Sequence, residues 1–344
     1  MALIQTRRDF ISGIAGAATA GLVRPPPAAA EGTLETTTLR LLKSPGICRA
    51  PQYVAEALLR AEGFTDIHHV ERGSSEEINE ALAQNQADFG THYSAELLPG
   101  IESGGAITIL SGVHVGCQEL FVRDDIRSII DLKGRSVAVS VLTSTPGVLV
   151  SGPSATICCR GALVARVGLD PARDIQWVVG RSPTPMQLFT DGKVDAFVGT
   201  PPEPQELRAR HIGHVLVNTG LDRPWSQYFC CMLAGNREYV RNHPVATKRV
   251  LRTVLKAADF CAAEPDRAAR QLVDGGFTPH YDYALQTMHD VVYDKWRDYD
   301  AEDTVRFYAL LLREAGIIKS TPQKIIAEST DWRFLDELKR ELKA

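Results

Sequence analysis

The sequence predicts an α/β chain built as two lobes, and three observations carry that expectation. Short apolar runs alternate with amphipathic helical patterns from Leu39 to Asn218, the signature of sheets clad by helices. The chain has 344 residues, 314 once a leader of 30 is removed, which exceeds a typical domain of about 100–150 residues. A faint internal echo joins "ALAQNQADFGTHYSAEL" (81–97) and "LFTDGKVDAFVGTPPEPQEL" (188–207). Each reads as a helix end, a tight turn, a strand beginning at an aspartate (Asp88, Asp195) and a loop of small residues. Open α/β sheets bind ligands at the carboxyl ends of their strands, so two such loops predict a cleft between two lobes.

The elements follow in order. "TLRLLKS" is a strand, and "PQYVAEALLRAEGF" is a helix with Val54, Ala57, Leu58 and Ala61 on one face and Gly63 as its stop. "IHHVER" is a strand. "SSEEINEALAQNQ" carries a Ser74-x-x-Glu77 capping box and an apolar stripe of Ile78, Ala81 and Leu82. "AITILSGV", "ELFVR", "RSVAVSV", "IQWVV", "VDAFVG", "GHVLVN" and "QYFCCML" read as further strands, with helices at "SATICCRGALVARVG" and "MQLFTDGK". Beyond them the pattern turns wholly helical. "NHPVATKRVLRTVLKAADF" starts with Asn242 or His243 as cap and Pro244 in its first turn, and buries Val250, Leu251, Val254, Leu255 and Ala258. "AEDTVRFYALLLREAG" repeats the device with Val305, Tyr308, Ala309 and Leu312.

The amino terminus is read as an export leader. Arg7 and Arg8 precede a Gly- and Ala-rich apolar core, Ile11 to Val23, and a small-residue cleavage site at Ala28–Ala30. The paired arginines resemble a twin-arginine signal, and the core is shorter than the roughly 20 apolar residues that span a bilayer. Cleavage after Ala30 removes three arginines and one aspartate, taking the formal charge from −4 to −6. An acidic chain with dispersed charge lacks the basic face that nucleic acid requires.

The cysteines at 48, 117, 158, 159, 230, 231 and 261 form no CxxC and no zinc-type spacing with histidine. They are expected to be buried apolar thiols, with a disulfide between the regions of Cys117 and Cys230 left open. No metal and no cofactor is expected.

"SPGICRAPQYVAEALLRAEGF", "EINEALAQNQADFG", "DLKGRSVAV", "GPSATICCRGALVARVGLDP", "LFTDGKVDAFVGTPPEP" and "NHPVATKRVLRTVLKA", in that order and spacing, resemble the periplasmic solute-binding proteins of ABC importers. The group is that of nitrate, taurine and aliphatic-sulfonate binders, which includes binders of a thiamine pyrimidine precursor. The resemblance covers Leu39 to about Lys319, and "VSVLTSTPGVLVSGPSAT" departs from it in being longer and more apolar. It implies a type II periplasmic binding protein fold: one lobe of 39–118 plus 228–344, a second of 119–227, and crossovers near Cys117–Arg123 and Trp225–Leu233. It also implies a small-molecule solute held in the cleft of a monomeric periplasmic protein, a membrane permease as partner, and no catalysis.

Candidate ligand contacts sit on the strand-end loops. Cys48 and Arg49 lie in "SPGICRAP", where a guanidinium forks onto carboxylate, sulfonate or phosphate. Thr91, Tyr93 and Ser94 lie in "GTHYSAE", and a tyrosine supplies the ring-plus-hydroxyl mixture of small-solute pockets. Ser154 and Thr156 lie in "GPSAT", read as a helix start able to bind an anion or simply to cap. His114, at the first crossover, either contacts solute or satisfies a buried hinge carbonyl. Thr200 leads the proline-stiffened "GTPPEP". These residues favour an organic anion. The rival readings are an enzyme like the pyrimidine-precursor synthases, against which stands the absence of HExxH, GxSxG and Walker patterns, and a ligand-sensing protein using the same cleft.

Overall fold

A computed structural model of the chain describes residues 32–139, 144–145, 148–149, 168–170, 173–180, 182 and 184–342. The strands are β1 (Thr38–Lys43), β2 (Asp66–Glu71), β3 (Phe89–Tyr93), β4 (Ile107–Val115), β5 (Glu119–Val122), β6 (Ser136–Val139), β7 (Ser144–Thr145), β8 (Val148–Leu149), β9 (Gln176–Val179), β10 (Ala196–Gly199), β11 (His214–Asn218) and β12 (Phe229–Asn236). They form two five-stranded sheets, ordered β2-β1-β3-β12-β4 and β9-β6-β10-β5-β11, and β7 pairs with β8 alone. In the first sheet β12 runs antiparallel to both neighbours. In the second, β5 does the same. The strand between the parallel run and the far edge is therefore, in each sheet, the one that has just crossed from the other.

The echoed aspartates do the same job in both sheets. Asp88 Oδ2 accepts the backbone N–H of Arg40 in β1 at 2.6 Å, and Asp195 Oδ2 accepts that of Ser136 in β6 at 2.8 Å. Each thereby pins the start of its own strand to the neighbouring strand.

Burial explains the strand patterns. In the second sheet Leu120, Val122, Val137, Ala196 and Val198 pack on one face, and Phe121, Ala138 and Phe197 on the other with Phe189. Side chains alternate faces along a strand, so covering both faces requires the unbroken apolar runs seen in "ELFV", "SVAV" and "AFVG". The first sheet is covered by the carboxyl-terminal helices. Helix Pro244–Ala263 is capped at His243 with Pro244 in its first turn and buries Val250, Leu251, Val254, Leu255 and Ala258, as its periodicity predicts. Helix Ala301–Glu314 buries Val305, Tyr308, Ala309 and Leu312, and the Ser74–Glu77 capping box forms.

One helix face departs from expectation. The segment after β1 breaks into Ala50–Tyr53 and Glu56–Ala61. Val54, Ala55 and Leu59 are buried while Ala57, Leu58 and Ala61 face solvent. The break restarts the helical phase, so a single continuous wheel puts the wrong residues inside.

The chain leaves the first sheet at Val115, enters the second at Glu119, and returns between Asn218 and Phe229. The return begins earlier than the Trp225–Leu233 window because Phe229–Leu233 already belongs to β12. The two crossings touch. A Cβ on Gly116, whose φ is +43°, would stand 2.1 Å from the Gly220 Cα, so only glycine fits. Thr219 N–H donates to the Gln118 carbonyl at 3.0 Å, and Val115 N–H donates to Val292 at 2.9 Å. No described helix is long and apolar enough to cross a membrane.

Candidate functional site

The carboxyl ends of β1, β3 and β4 and the amino end of antiparallel β12 lie along one edge of the first sheet, where open α/β sheets carry their ligands. Register brings three side chains into a row across that edge: Cys231 pairs with Tyr93 of β3 and with His114 of β4. The turn after β1 adds Cys48 and Arg49, and the first crossing adds Cys117. Every one of these residues is buried.

Arg49 is the fixed charge of the site. Its guanidinium stacks on the Tyr93 ring, 4.7 Å from the centroid. One Nη donates to the Pro45 carbonyl, the other stands 3.5 Å from His92 Nδ1, and Nε has no partner. Burial works against this charge, yet the Tyr93, Cys48 and Cys231 groups around it hold it firmly ionised. Among the described residues no carboxylate forms an ion pair with it. His92 is kept neutral, pushed well below the usual histidine range by burial and then by Arg49. Glu96, 3.5 Å from His92 Nε2, is pushed up to about 7 by burial despite the hydrogen bond it accepts from Ser75 Oγ.

Cysteines and histidine form the second half of the site. Ligating atoms of Cys48, His114, Cys117 and Cys231 all lie within 4.8 Å of one another. Neither ring nitrogen of His114 has a hydrogen-bond partner of good geometry. Burial disfavours its charge, but the Cys231 and Cys48 groups raise it to about 10. Burial likewise opposes ionisation of Cys231, while hydrogen bonds from Cys117 and Cys48 and the His114 charge bring it down to about 6. In a regular strand Cys230 and Cys231 would face opposite ways. The β12–β4 pairing shifts register on both sides of Cys231, a bulge that re-aims side chains, and Cys230 Sγ comes within 3.3 Å of Cys117 Sγ.

The lobes meet over this site. Ile47 N–H donates to the Pro201 carbonyl at 3.2 Å. Gln205 Nε2 donates to Asp290 Oδ2 at 2.9 Å, and Arg208 bridges Glu119 and Asp290. These contacts link helix Glu203–Ala209 of the second lobe to helix Tyr281–Asp290 of the first. On the outer side of the Ser44–Ile47 turn a trough of about 550 Å³ is lined by Lys43, Gly46, Arg72 and Phe277. Its cations are already engaged, Lys43 by Glu71 at 3.0 Å and Arg72 by Gln86 at 2.6 Å.

Of the residues singled out in the sequence, Cys48, Arg49, Tyr93 and His114 converge on one cluster. Ser94 is adjacent, but its hydroxyl donates to the Phe229 and Cys230 carbonyls at 2.8 and 3.1 Å. Thr91 binds Gln52 through its backbone N–H at 2.6 Å, and its hydroxyl is unpartnered. Thr200 precedes Pro201, whose carbonyl meets Ile47 of the first lobe, and its own N–H is held by Glu203 at 3.0 Å. Ser154 and Thr156, with Cys158 and Cys159, lie outside the described residues. His114 meets thiols, and no hinge carbonyl accepts from it. The cysteines at 48, 117, 230 and 231 are buried as expected but gathered; Cys117 and Cys230 are adjacent and unbonded. Cys117, Cys231, His92 and Glu96 were not selected from the sequence. His92 and Glu96 share the "GTHYSAE" stretch and could have been found there, whereas no local signal marks the thiols.

Two α/β sheets exchanging a strand, with polar groups buried where the lobes meet, define the periplasmic binding protein fold. The chain belongs to the NMT1-like family, whose model matches residues 32–273. The bicarbonate-binding protein CmpA of Synechococcus elongatus is 29% identical over 101 residues, a match covering 29% of this chain and 22% of CmpA. The nitrate-binding protein NrtA of Synechocystis PCC 6803 superposes with a TM-score of 0.71 at 15% identity, over 90% of each chain. The alkanesulfonate-binding protein SsuA of Xanthomonas axonopodis pv. citri, bound to MOPS, superposes at 0.68 with 18% identity, over 83% of this chain and 95% of SsuA.

Proposed function

We propose that this chain is the extracytoplasmic solute-binding component of an ABC importer, capturing a small organic anion between its lobes and presenting it to a membrane permease. The observation that carries the reading is Arg49, a buried guanidinium stacked on Tyr93 with no carboxylate partner among the described residues, on the turn whose Ile47 touches the second lobe at Pro201. A guanidinium gains from a charge-assisted hydrogen bond to an anion, and an anionic solute would supply one at the unpartnered Arg49 Nε. The anions named for its relatives, bicarbonate for CmpA, nitrate for NrtA and a sulfonate for SsuA, are consistent with this choice. Opening and closing of the lobes would exchange solute, with no bond made or broken. The chain would act as a monomer.

The test is a thermal-shift screen against sulfonates, nitrate, bicarbonate, carboxylates and aromatic acids. A binder at a hundredfold excess over its Kd stabilises the fold by about 2.7 kcal/mol. Arg49→Ala should weaken the responding anion at least 30-fold, since truncating one partner of a buried charge pair costs about 2–5 kcal/mol. An unchanged affinity removes the charge-pairing argument. Export would follow the twin-arginine route through Arg7 and Arg8. Changing both to lysine should leave the chain in the cytoplasm with residues 1–30 attached, and unaltered export of that variant would refute the route.

A further inference from the structure

The geometry points to a zinc site at the floor of the cleft, made by the thiolates of Cys48, Cys117 and Cys231 and the imidazole of His114. This goes beyond the anion-binding reading and does not rest on it, because all four groups belong to the first lobe and its first crossing. Three features support it. The four ligating atoms already lie within 4.8 Å of one another, and a tetrahedral zinc with Zn–S bonds of about 2.3 Å needs sulfur–sulfur edges of about 3.8 Å. Small side-chain rotations close that gap. The ligand set is Cys₃His, one of the ordinary zinc sets. His114 is fully buried with both ring nitrogens unpartnered, although buried polar nitrogens nearly always have a partner; coordination would satisfy one of them.

The donor set selects the ion. Three thiolates and one neutral imidazole suit a divalent, thiophilic ion with no geometric demand of its own.

The surrounding shell holds these ligands in place. Tyr293 Oη donates to the Cys48 carbonyl at 3.1 Å, and its ring meets the His114 ring edge-on at 5.6 Å. Ser94 Oγ holds the Cys230 carbonyl at 3.1 Å, fixing the bulge that aims Cys231. Such outer contacts orient metal ligands.

The experiment uses the full chain, purified with reductant, treated with chelator, reloaded with Zn²⁺ and desalted for elemental analysis. One zinc per chain is expected. Cobalt substitution should give thiolate-to-cobalt charge transfer and tetrahedral ligand-field bands. Cys231→Ser and His114→Ala should each weaken zinc more than a hundredfold in competition with a chromophoric chelator. Arg49→Met should weaken it 10- to 100-fold as an outer-shell change, and Cys261→Ser, a buried thiol outside the cluster, should leave it unchanged. Should a ligand variant fail to fold, the cobalt spectrum of the unaltered chain still decides the matter. Less than a tenth of a zinc per chain with thiols free, an octahedral cobalt spectrum, or a Cys117–Cys230 disulfide that persists under reductant overturns the site. Running the anion screen on apo and loaded chain separates the two claims: zinc uptake without any anion response sinks the solute-binding reading alone, and an anion response without zinc uptake sinks this one alone.

Discussion

The ends of β3 and β10 occupy equivalent places in their sheets and carry opposite chemistry. Both strands follow an aspartate that accepts a backbone N–H of the neighbouring strand, from Arg40 of β1 and from Ser136 of β6. Beyond that shared start, β3 leads through Thr91, His92, Tyr93 and Ser94, all buried, with His92 and Tyr93 against Arg49. β10 ends in Thr200, Pro201 and Pro202, a stiff rim that offers one carbonyl to Ile47. Among the described residues the scaffold is repeated while the cluster of polar groups and thiols is held by one lobe.

The largest effect should come from breaking the shared start. Asp88 is buried and paired with Arg40 at 2.6 Å, whereas the Asp195 side chain is 28% exposed and lies 3.4 Å from Arg135. Losing one partner of a buried pair costs about 3–5 kcal/mol, and an exposed pair contributes about 0–1. Asp88→Asn should therefore lower stability by ~3 kcal/mol and Asp195→Asn by ~1 kcal/mol in urea unfolding. Equal losses would erase the asymmetry between the lobes.

A smaller effect is expected where the two lobes meet. Arg208 reaches across to Asp290, and its removal should favour the open arrangement by ~1 kcal/mol, in the range of partly exposed pairs. Small-angle scattering should give Arg208→Ala a larger radius of gyration without solute, restored by saturating solute. An unchanged radius would mean that the other cross-lobe contacts suffice.

A pH-dependent effect sharpens the electrostatic side of the comparison. Burial raises Glu96 to about 7, above its unfolded value near 4.3. The folded state therefore binds the extra proton between those limits. The stability this group contributes is full below the unfolded value and is lost as pH rises towards 7. Neutral His92 acts in the opposite sense, losing stability as pH falls below its unfolded value. The informative quantity is thus the difference between the unaltered chain and Glu96→Gln: the unaltered chain should lose ground to the variant steadily from about pH 4.5 to 7. A flat difference across that interval would mean that Glu96 titrates normally.

How much of this was legible in the sequence depends on the range of the interactions involved. The capping box at Ser74 and Glu77 and the faces of helices 244–263 and 301–314 rest on neighbours three or four residues apart, so the chain displays them directly. The strand runs and the matched Asp88 and Asp195 were also legible, because two-sided burial leaves unbroken apolar strings. The face of 50–61 was misread, since a helix break at Val54–Ala55 depends on what packs there. Among site residues Arg49 and Tyr93 could be chosen by type and loop position. Cys117 and Cys231 could not, for adjacency to Cys230 says nothing about a bulge formed by pairing with another strand.

By itself, then, the sequence determined two α/β lobes, their helical cladding and the strand-end loops that bear the polar residues, because those follow from periodicity and local capping. The tertiary structure alone decided that Cys48 and Cys231, 183 positions apart, share a cluster with His114 and Cys117, and that Arg49 stacks on Tyr93 with no carboxylate partner among the described residues. Sheet register and the strand exchange between lobes bring these groups together, and no interaction among chain neighbours encodes that distance.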